Sequence, residues 1–153
     1  MTPGWTVEQR HWDDPAGAAR RAAQRAELDA RYDCDDHEPG AAPSAADVDL
    51  FLVALDAAGA AVACGALRRL DERTAEVKRM YVVPPSRGSG VATVVLRALE
   101  SAAVERGWTT VRLETGTEQP DAQRFYRREG YTEIPLFGAY EGSTLSVCFE
   151  RRF

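Results

Sequence analysis

The chain has 153 residues, 44% hydrophobic and 28% charged, with a formal net charge of −5. That length suits one domain, 1–153, which buries roughly 70% of its unfolded surface and needs no disulfide or metal staple. The acidic balance argues against nucleic acid as a partner, and no apolar run approaches the ~20 residues of a membrane span.

The N-terminal "MTPGWTVEQRHW" lacks the basic-then-apolar order of a signal peptide, so a cytoplasmic location is expected. Its segment 5–12 reads as a short strand. Asp14 can cap the next segment, with Pro15 at the first helical position, and a helix is predicted through Tyr32. The stretch 32–47, "YDCDDHEPGAAPSAAD", has no periodicity and is long for a loop in a compact domain. Two apolar runs, 48–55 and 60–70, joined through "DAAG", predict a hairpin. A third run, 73–83, follows a short turn, so the three strands form an antiparallel meander. Alternation along it places Glu76, Lys78 and Met80 on one face.

The pattern changes at residue 90. Val91, Val94, Val95, Ala98, Leu99, Ala102 and Ala103 form one helical stripe, and Gly107 is placed to end that helix. A strand over 108–115 follows. Strand, helix and strand in this order imply a parallel pair. A short helix over 120–129 closes at Gly130, and strands over 131–134 and 144–152 complete the sheet across the loop "PLFGAYEG". The fold class is therefore α/β (α+β): a mixed sheet, antiparallel at its start and parallel in its middle, flanked by helices.

Cys34, Cys64 and Cys148 are far apart and form no CxxC pair, and neither histidine shares ligand spacing with them, so no metal site is expected. Basic residues are eighteen arginines and one lysine, a bias that points to a GC-rich bacterial genome. Residues 32–49 carry Asp33, Asp35, Asp36, Glu38, Asp47 and Asp49 with no arginine or lysine. They make either an acidic lip for a cationic amine or a solvated loop.

The chemistry-bearing stretch is "RMYVVPPSRGSGVATVVL", 79–96. Glycines 88 and 90 let backbone approach a ligand, Arg87 adds positive charge, and the following helix offers unpaired N–H groups, so a phosphate or pyrophosphate is the natural occupant. A plain surface turn is the alternative. A Walker loop fails for want of its lysine. A dinucleotide fingerprint fails because Thr93 replaces the third glycine and too little chain follows.

Two segments carry a resemblance. Arg87-Gly88-Ser89-Gly90-Val91-Ala92 is similar to the pyrophosphate loop of the GNAT superfamily of N-acetyltransferases. Residues 122–131, "AQRFYRREGY", resemble that family's A-x-x-[FL]-Y-x-x-x-G-[FY] segment. The resemblance implies a mixed sheet whose parallel central pair is splayed, and acetyl transfer from acetyl-CoA to an amine by direct attack through a tetrahedral intermediate. It implies that backbone groups of Met80, Tyr81 and Val82 pair with the pantetheine arm, and that N–H groups from Arg87 through Ala92 hold the pyrophosphate. Tyr126 takes the place of the family's general acid, or else packs its helix onto the sheet. Glu76 and Glu114 both stand where members carry a base; Glu76 ranks first, with a water relay as a further route. Gln119 stands where an asparagine is frequent, with the same amide on a longer arm. The implied acceptor is a small-molecule, amino-acid-like or peptide amine. Protein lysine acetylation and a catalytically silent coenzyme A-binding module are the alternatives, and a homodimer is compatible with the fold.

Overall fold

The computed structural model describes residues 4–32 and 42–153. Cys34, His37 and four of the six acidic residues of the 32–49 segment lie outside the described residues. The chain runs β1 (Thr6–Gln9), α1 (Pro15–Tyr32), β2 (Leu50–Leu55), β3 (Ala61–Arg69), β4 (Thr74–Val82), α2 (Val91–Glu105), β5 (Thr110–Gly116), α3 (Pro120–Arg128), β6 (Thr132–Ile134) and β7 (Ser146–Arg152). Each predicted element is present, most of them trimmed by a residue or two where caps and turns take over. Asp14 caps α1 as expected, its carboxylate accepting from the Gly17 N–H at 3.3 Å. The β2–β3 turn is closed by Asp56 Oδ1, which accepts from the N–H groups of Ala58 and Ala60, each at 2.9 Å.

The seven strands form one sheet in the order β1-β2-β3-β4-β5-β7-β6. Every neighbouring pair is antiparallel except β4–β5, the predicted parallel pair. Two-residue alternation sorts the central strands between the helices. Leu52, Leu67 and Val77 join Val95 and Leu99 of α2 in the larger core cluster. Phe51, Val53 and Cys64 face the other way, where Ala23 of α1 packs and Phe51 comes so close to Gly17 that a Cβ there would meet the ring at 2.2 Å. Full burial of Phe51, Leu67, Val95 and Leu99 contributes ~1.5–3 kcal/mol each.

The alternation expected in β4 breaks at Arg79, a non-glycine residue at φ 58°. Cys64 pairs with Tyr81 and Ala66 with Lys78, so Gly65 of β3 faces two residues of β4, a β-bulge. The bulge turns Met80 over. Glu76 and Lys78 stay on the α1 side, whereas the Met80 sulfur lies against Gly65, on the face of Val95 and Leu99. The expectation of one face for all three is therefore corrected. Nothing in the sequence of Arg79 announces the bulge, because glycine or asparagine is the usual occupant of such a conformation.

The bulge also ends a pairing. β4 and β5 run in register from Thr74↔Thr110 to Val77↔Leu113 and no further, while β5 continues against β7 as far as Gly116. Beyond Val77 the two central strands diverge. That opening, and not any loop, makes the cleft. No helix among the described residues is long and apolar enough to cross a membrane, and none of their acidic, histidine or cysteine side chains gather in a group of three suited to a metal.

Candidate active site

The cleft has an outer and an inner part, with Gln24, Leu28, Met80, Gln119, Ala122 and Tyr126 lining both. The outer part encloses about 520 Å³ between α1, the end of β4, the glycine loop and α3. Gly88 and Gly90 hold φ at 77° and 97°, and Gly90 is the N-cap of α2. A side chain at Gly90 would find space, with only Trp5 near at 3.9 Å, so its requirement is conformational. The first-turn N–H groups of α2 have no intrahelical acceptor, and Val91 N–H reaches only the Ser89 hydroxyl at 3.4 Å. Arg87 is not the free cation expected of it. Its Nε donates to the Val82 carbonyl at 3.0 Å and its Nη2 to Glu27 of α1 at 2.8 Å, which ties the loop to the helix across the cleft.

Tyr81 and Val82 keep their β3 partners on one edge, Tyr81 against Cys64 and Val82 against Ala63, while Met80 lies in the bulge. Their other edge faces the divergence. The Met80 carbonyl accepts from Gln24 Nε2 at 2.8 Å, a tether from α1 that no local signal announces, the partners standing 56 positions apart. Across the cleft, Gln119 is the N-cap of α3, its N–H donating to the Gly116 carbonyl at 3.1 Å. Gly116 is closely covered, since a Cβ would fall 1.4 Å from the Tyr32 hydroxyl and 2.9 Å from Gln119 Nε2 and would displace both side chains.

The inner part is lined by Val77, Lys78, Arg79, Glu114, Thr115, Gly116 and Tyr32 in addition to the shared residues. Tyr126 is 7% exposed and stacks edge-on with Phe125 and Tyr131, so it packs its helix and faces the cleft at once. Burial pushes its hydroxyl well above the ordinary phenol range, and the nearby Glu114 charge adds to the shift. The phenol therefore keeps its proton at neutral pH, as a proton donor must.

The two candidate carboxylates are separated by the structure. Glu114 lines the inner cleft, and one of its oxygens accepts from the Ser146 hydroxyl at 2.7 Å. Glu76 does not line it. At 1% exposure it is held by Arg68 Nη2 at 2.8 Å and by the Tyr140 hydroxyl at 2.5 Å. The same hydroxyl accepts from Lys78 Nζ at 2.7 Å, while Lys78 and Glu76 stand 3.9 Å apart. Lys78, Tyr140 and Gln24 are candidates that local reading of the sequence misses. Of the acidic 32–49 segment, Asp47 accepts from Arg68 Nη1 at 3.1 Å and Asp49 from the Arg69 N–H at 2.8 Å. These two carboxylates bind their loop to β3.

Comparison with known proteins follows this geometry. The acetyltransferase (GNAT) family model matches residues 8–131. The chain is 36% identical over 102 residues, 66% of either chain, to a protein of Azospirillum brasilense named IAA acetyltransferase. It is 32% identical to a Klebsiella pneumoniae protein described as an acyl-CoA N-acyltransferase, whose structure superposes with a TM-score of 0.83 over 97% of both chains. The fold is shared with a GNAT acetyltransferase of Elizabethkingia anophelis with acetyl-CoA bound, at 13% identity, a TM-score of 0.72, and coverage of 97% and 98%. The chain spans 66%, 38% and 60% of the length of three curated relatives it matches.

Proposed function

The chain belongs to the GNAT family of acetyltransferases, and from that premise we propose that it transfers an acetyl group from acetyl-CoA to the primary amine of a small molecule, an amino-acid-like compound or a peptide N-terminus. One observation carries the reading. The splay of β4 from β5 brings a protonated phenol, an accessible carboxylate and a glycine-loop helix terminus onto a single continuous cleft.

The residues fit acetyl-CoA. The N–H groups of the loop from Arg87 through Ala92 suit a pyrophosphate, in a turn whose left-handed conformations at Gly88 and Gly90 glycine adopts without strain. The edge of Met80, Tyr81 and Val82 turned away from β3 pairs with no strand and suits the amides of a pantetheine arm, which would share the Met80 and Val82 carbonyls with Gln24 and Arg87. When bound, acetyl-CoA supplies an activated acyl carbon and a thiolate leaving group. Glu114 takes the proton that the attacking amine must lose, since an amine with an ordinary pKa near 10.4 is cationic at neutral pH. The Val82 N–H stabilises the developing oxyanion. Tyr126 donates its proton to the departing sulfur, help typically worth about 10²–10⁴-fold. Glu76 acts through others, fixing Arg68 and the Tyr140–Lys78 pair.

Thermal unfolding with and without acetyl-CoA, followed by thiol release against a panel of amines, tests this. Ligand at a hundred times its Kd stabilises by about 2.7 kcal/mol and raises the melting temperature. Turnover then identifies the acceptor class. No rise at saturating acetyl-CoA removes the proposal, and a rise without turnover on any amine favours a silent coenzyme A-binding module.

A further inference from the structure

The cleft edge of β4 already carries hydrogen-bond donors. The Val83 N–H donates to the Val62 carbonyl of β3 at 2.9 Å, so the neighbouring Val82 turns its polar groups the other way, into the cleft. There the Val82 carbonyl accepts from Arg87 Nε at 3.0 Å, and the Met80 carbonyl accepts from Gln24 Nε2 at 2.8 Å. Both donors are governed from α1. Gln24 stands on that helix, and Arg87 is held by Glu27 of the same helix at 2.8 Å. A strand edge that has no β5 partner past Val77 is thus covered by side chains.

The Gln24 amide is only half satisfied. Its Nε2 has a partner, but its Oε1 is closed to water and accepts no hydrogen bond from any described residue. Reversing the amide would set two oxygens against each other at Met80, so chemistry fixes its orientation. Buried polar atoms without partners are rare, and one on a cleft-lining residue points to a donor that arrives with a ligand. Gln24 lines both the outer and the inner part, so its amide stands where they meet. The last torsion of a glutamine is broad, which lets Oε1 turn toward the cleft while Nε2 stays on Met80.

We propose that Gln24 is a cofactor-binding residue whose Oε1 accepts a hydrogen bond from an amide N–H of the pantetheine arm. The inference rests on the acetyl-transfer reading and adds to it a side chain from α1. An arm lying along β4 meets carbonyls at Met80 and Val82 that each hold a donor already. Gln24 supplies the replacement acceptor one link further out. Ligand N–H, Gln24 amide and Met80 carbonyl then form a chain in which every donor has an acceptor and each bond polarises the next. An acceptor amine is a charged donor and finds its stronger match in the Glu114 carboxylate, whereas a neutral amide N–H matches a neutral oxygen.

The test uses the full chain with glutamine labelled by ¹³C at Cδ, which gives four resonances, from Gln9, Gln24, Gln119 and Gln123. Gln24→Met identifies the one that matters. The probes are coenzyme A and analogues in which one or the other pantetheine amide N–H is replaced by an ester oxygen. Coenzyme A should move the Gln24 resonance saturably, and one of the analogues should not. By calorimetry that analogue should bind the wild-type chain about tenfold more weakly than coenzyme A. The gap should close in Gln24→Met, and in Gln24→Asn, whose shorter arm keeps the amide but not its reach. A Gln24 resonance unmoved at saturating coenzyme A overturns the proposal, as does one that moves only when an amine is added. So does a gap that persists in Gln24→Met, because the N–H then goes to the Met80 carbonyl directly. Coenzyme A binding without the Gln24 response removes this inference alone; no binding at all removes the acetyl-transfer reading with it. The Gln24 response without turnover on any amine leaves the contact standing and removes the transfer.

Discussion

The two ends of the cleft are built from different materials. On the proposed function, the ligand meets backbone at the outer end: two glycines at positive φ, the first-turn N–H groups of α2, and the edge of β4 turned away from β3. The inner end is lined by side chains, Tyr126 set by its ring neighbours and Glu114 by the Ser146 hydroxyl. The outer end therefore tolerates changes of side chain but not of conformation. The inner end has the opposite sensitivity. Mutations that confuse the two would show that the division is false.

The largest effect belongs to the inner end. Tyr126→Phe keeps the ring contacts with Phe125 and Tyr131 and removes only the proton, so kcat should fall by about 10²–10⁴ while acetyl-CoA affinity holds. An unchanged kcat would reduce Tyr126 to a packing residue. Next comes the pair of carboxylates. Glu114→Gln is expected to lower kcat on the order of 100-fold and to remove the acidic limb of the pH–rate profile. Glu76→Gln should instead cost stability, about 1–3 kcal/mol, because Arg68 keeps Asp47 but loses its buried carboxylate, and the Tyr140 hydroxyl loses a charged acceptor. If Glu76→Gln erased the acidic limb and Glu114→Gln did not, the roles would be exchanged. At the outer end, Gly90→Glu should weaken acetyl-CoA binding roughly 30-fold, or about 2 kcal/mol, through strain at φ 97° and repulsion of the pyrophosphate. Its residual kcat at saturation should stay near wild type, the reverse of the Tyr126→Phe result.

The same division explains what could be read in the sequence. The glycine loop, its helix and the segment around Tyr126 were legible because each is local: glycine spacing, an apolar stripe and a short motif lie within a few turns of one another. The parallel pair followed from strand–helix–strand order. The inner end was not legible in this way. Lys78 and Tyr140 are 62 residues apart, Gln24 and Met80 56, and only folding brings them together. The bulge stayed hidden because arginine, not glycine, occupies its left-handed position, and without it two-residue alternation put Met80 on the wrong face. The burial of Glu76 and its Arg68 pair are not sequence properties, so position in the chain alone does not separate its surroundings from those of Glu114.

A smaller effect concerns stability at alkaline pH beneath the inner end. Burial pushes the Cys64 thiol up to about 12 and the Cys148 thiol up to about 11. Below pH 9 both thiols are protonated in the folded and unfolded chains, and neither contributes a slope. Above it the unfolded thiols ionise while the folded ones do not, so stability is lost as pH rises toward the folded values. Each ionising thiol contributes about 1.4 kcal/mol per pH unit. Urea midpoints from pH 8 to 11 should fall accordingly, and Cys64→Ala should flatten the curve by one thiol's share. An unchanged slope would mean that Cys64 is reached by solvent.

The smallest effect is expected where sequence reading placed the most charge. Arg87 is 41% exposed and already paired with Glu27, so little of its charge remains for a phosphate. Arg87→Ala should weaken acetyl-CoA binding only about threefold, and Glu27→Gln, which frees the guanidinium, should strengthen it by a similar factor. Titrations at two salt concentrations check both, because a phosphate-bound arginine makes affinity salt-dependent whereas backbone N–H contacts are less affected. A loss above about 30-fold in Arg87→Ala, as large as that expected for Gly90→Glu, would mean that the outer end also works by side-chain charge. The contrast between the two ends would then fail.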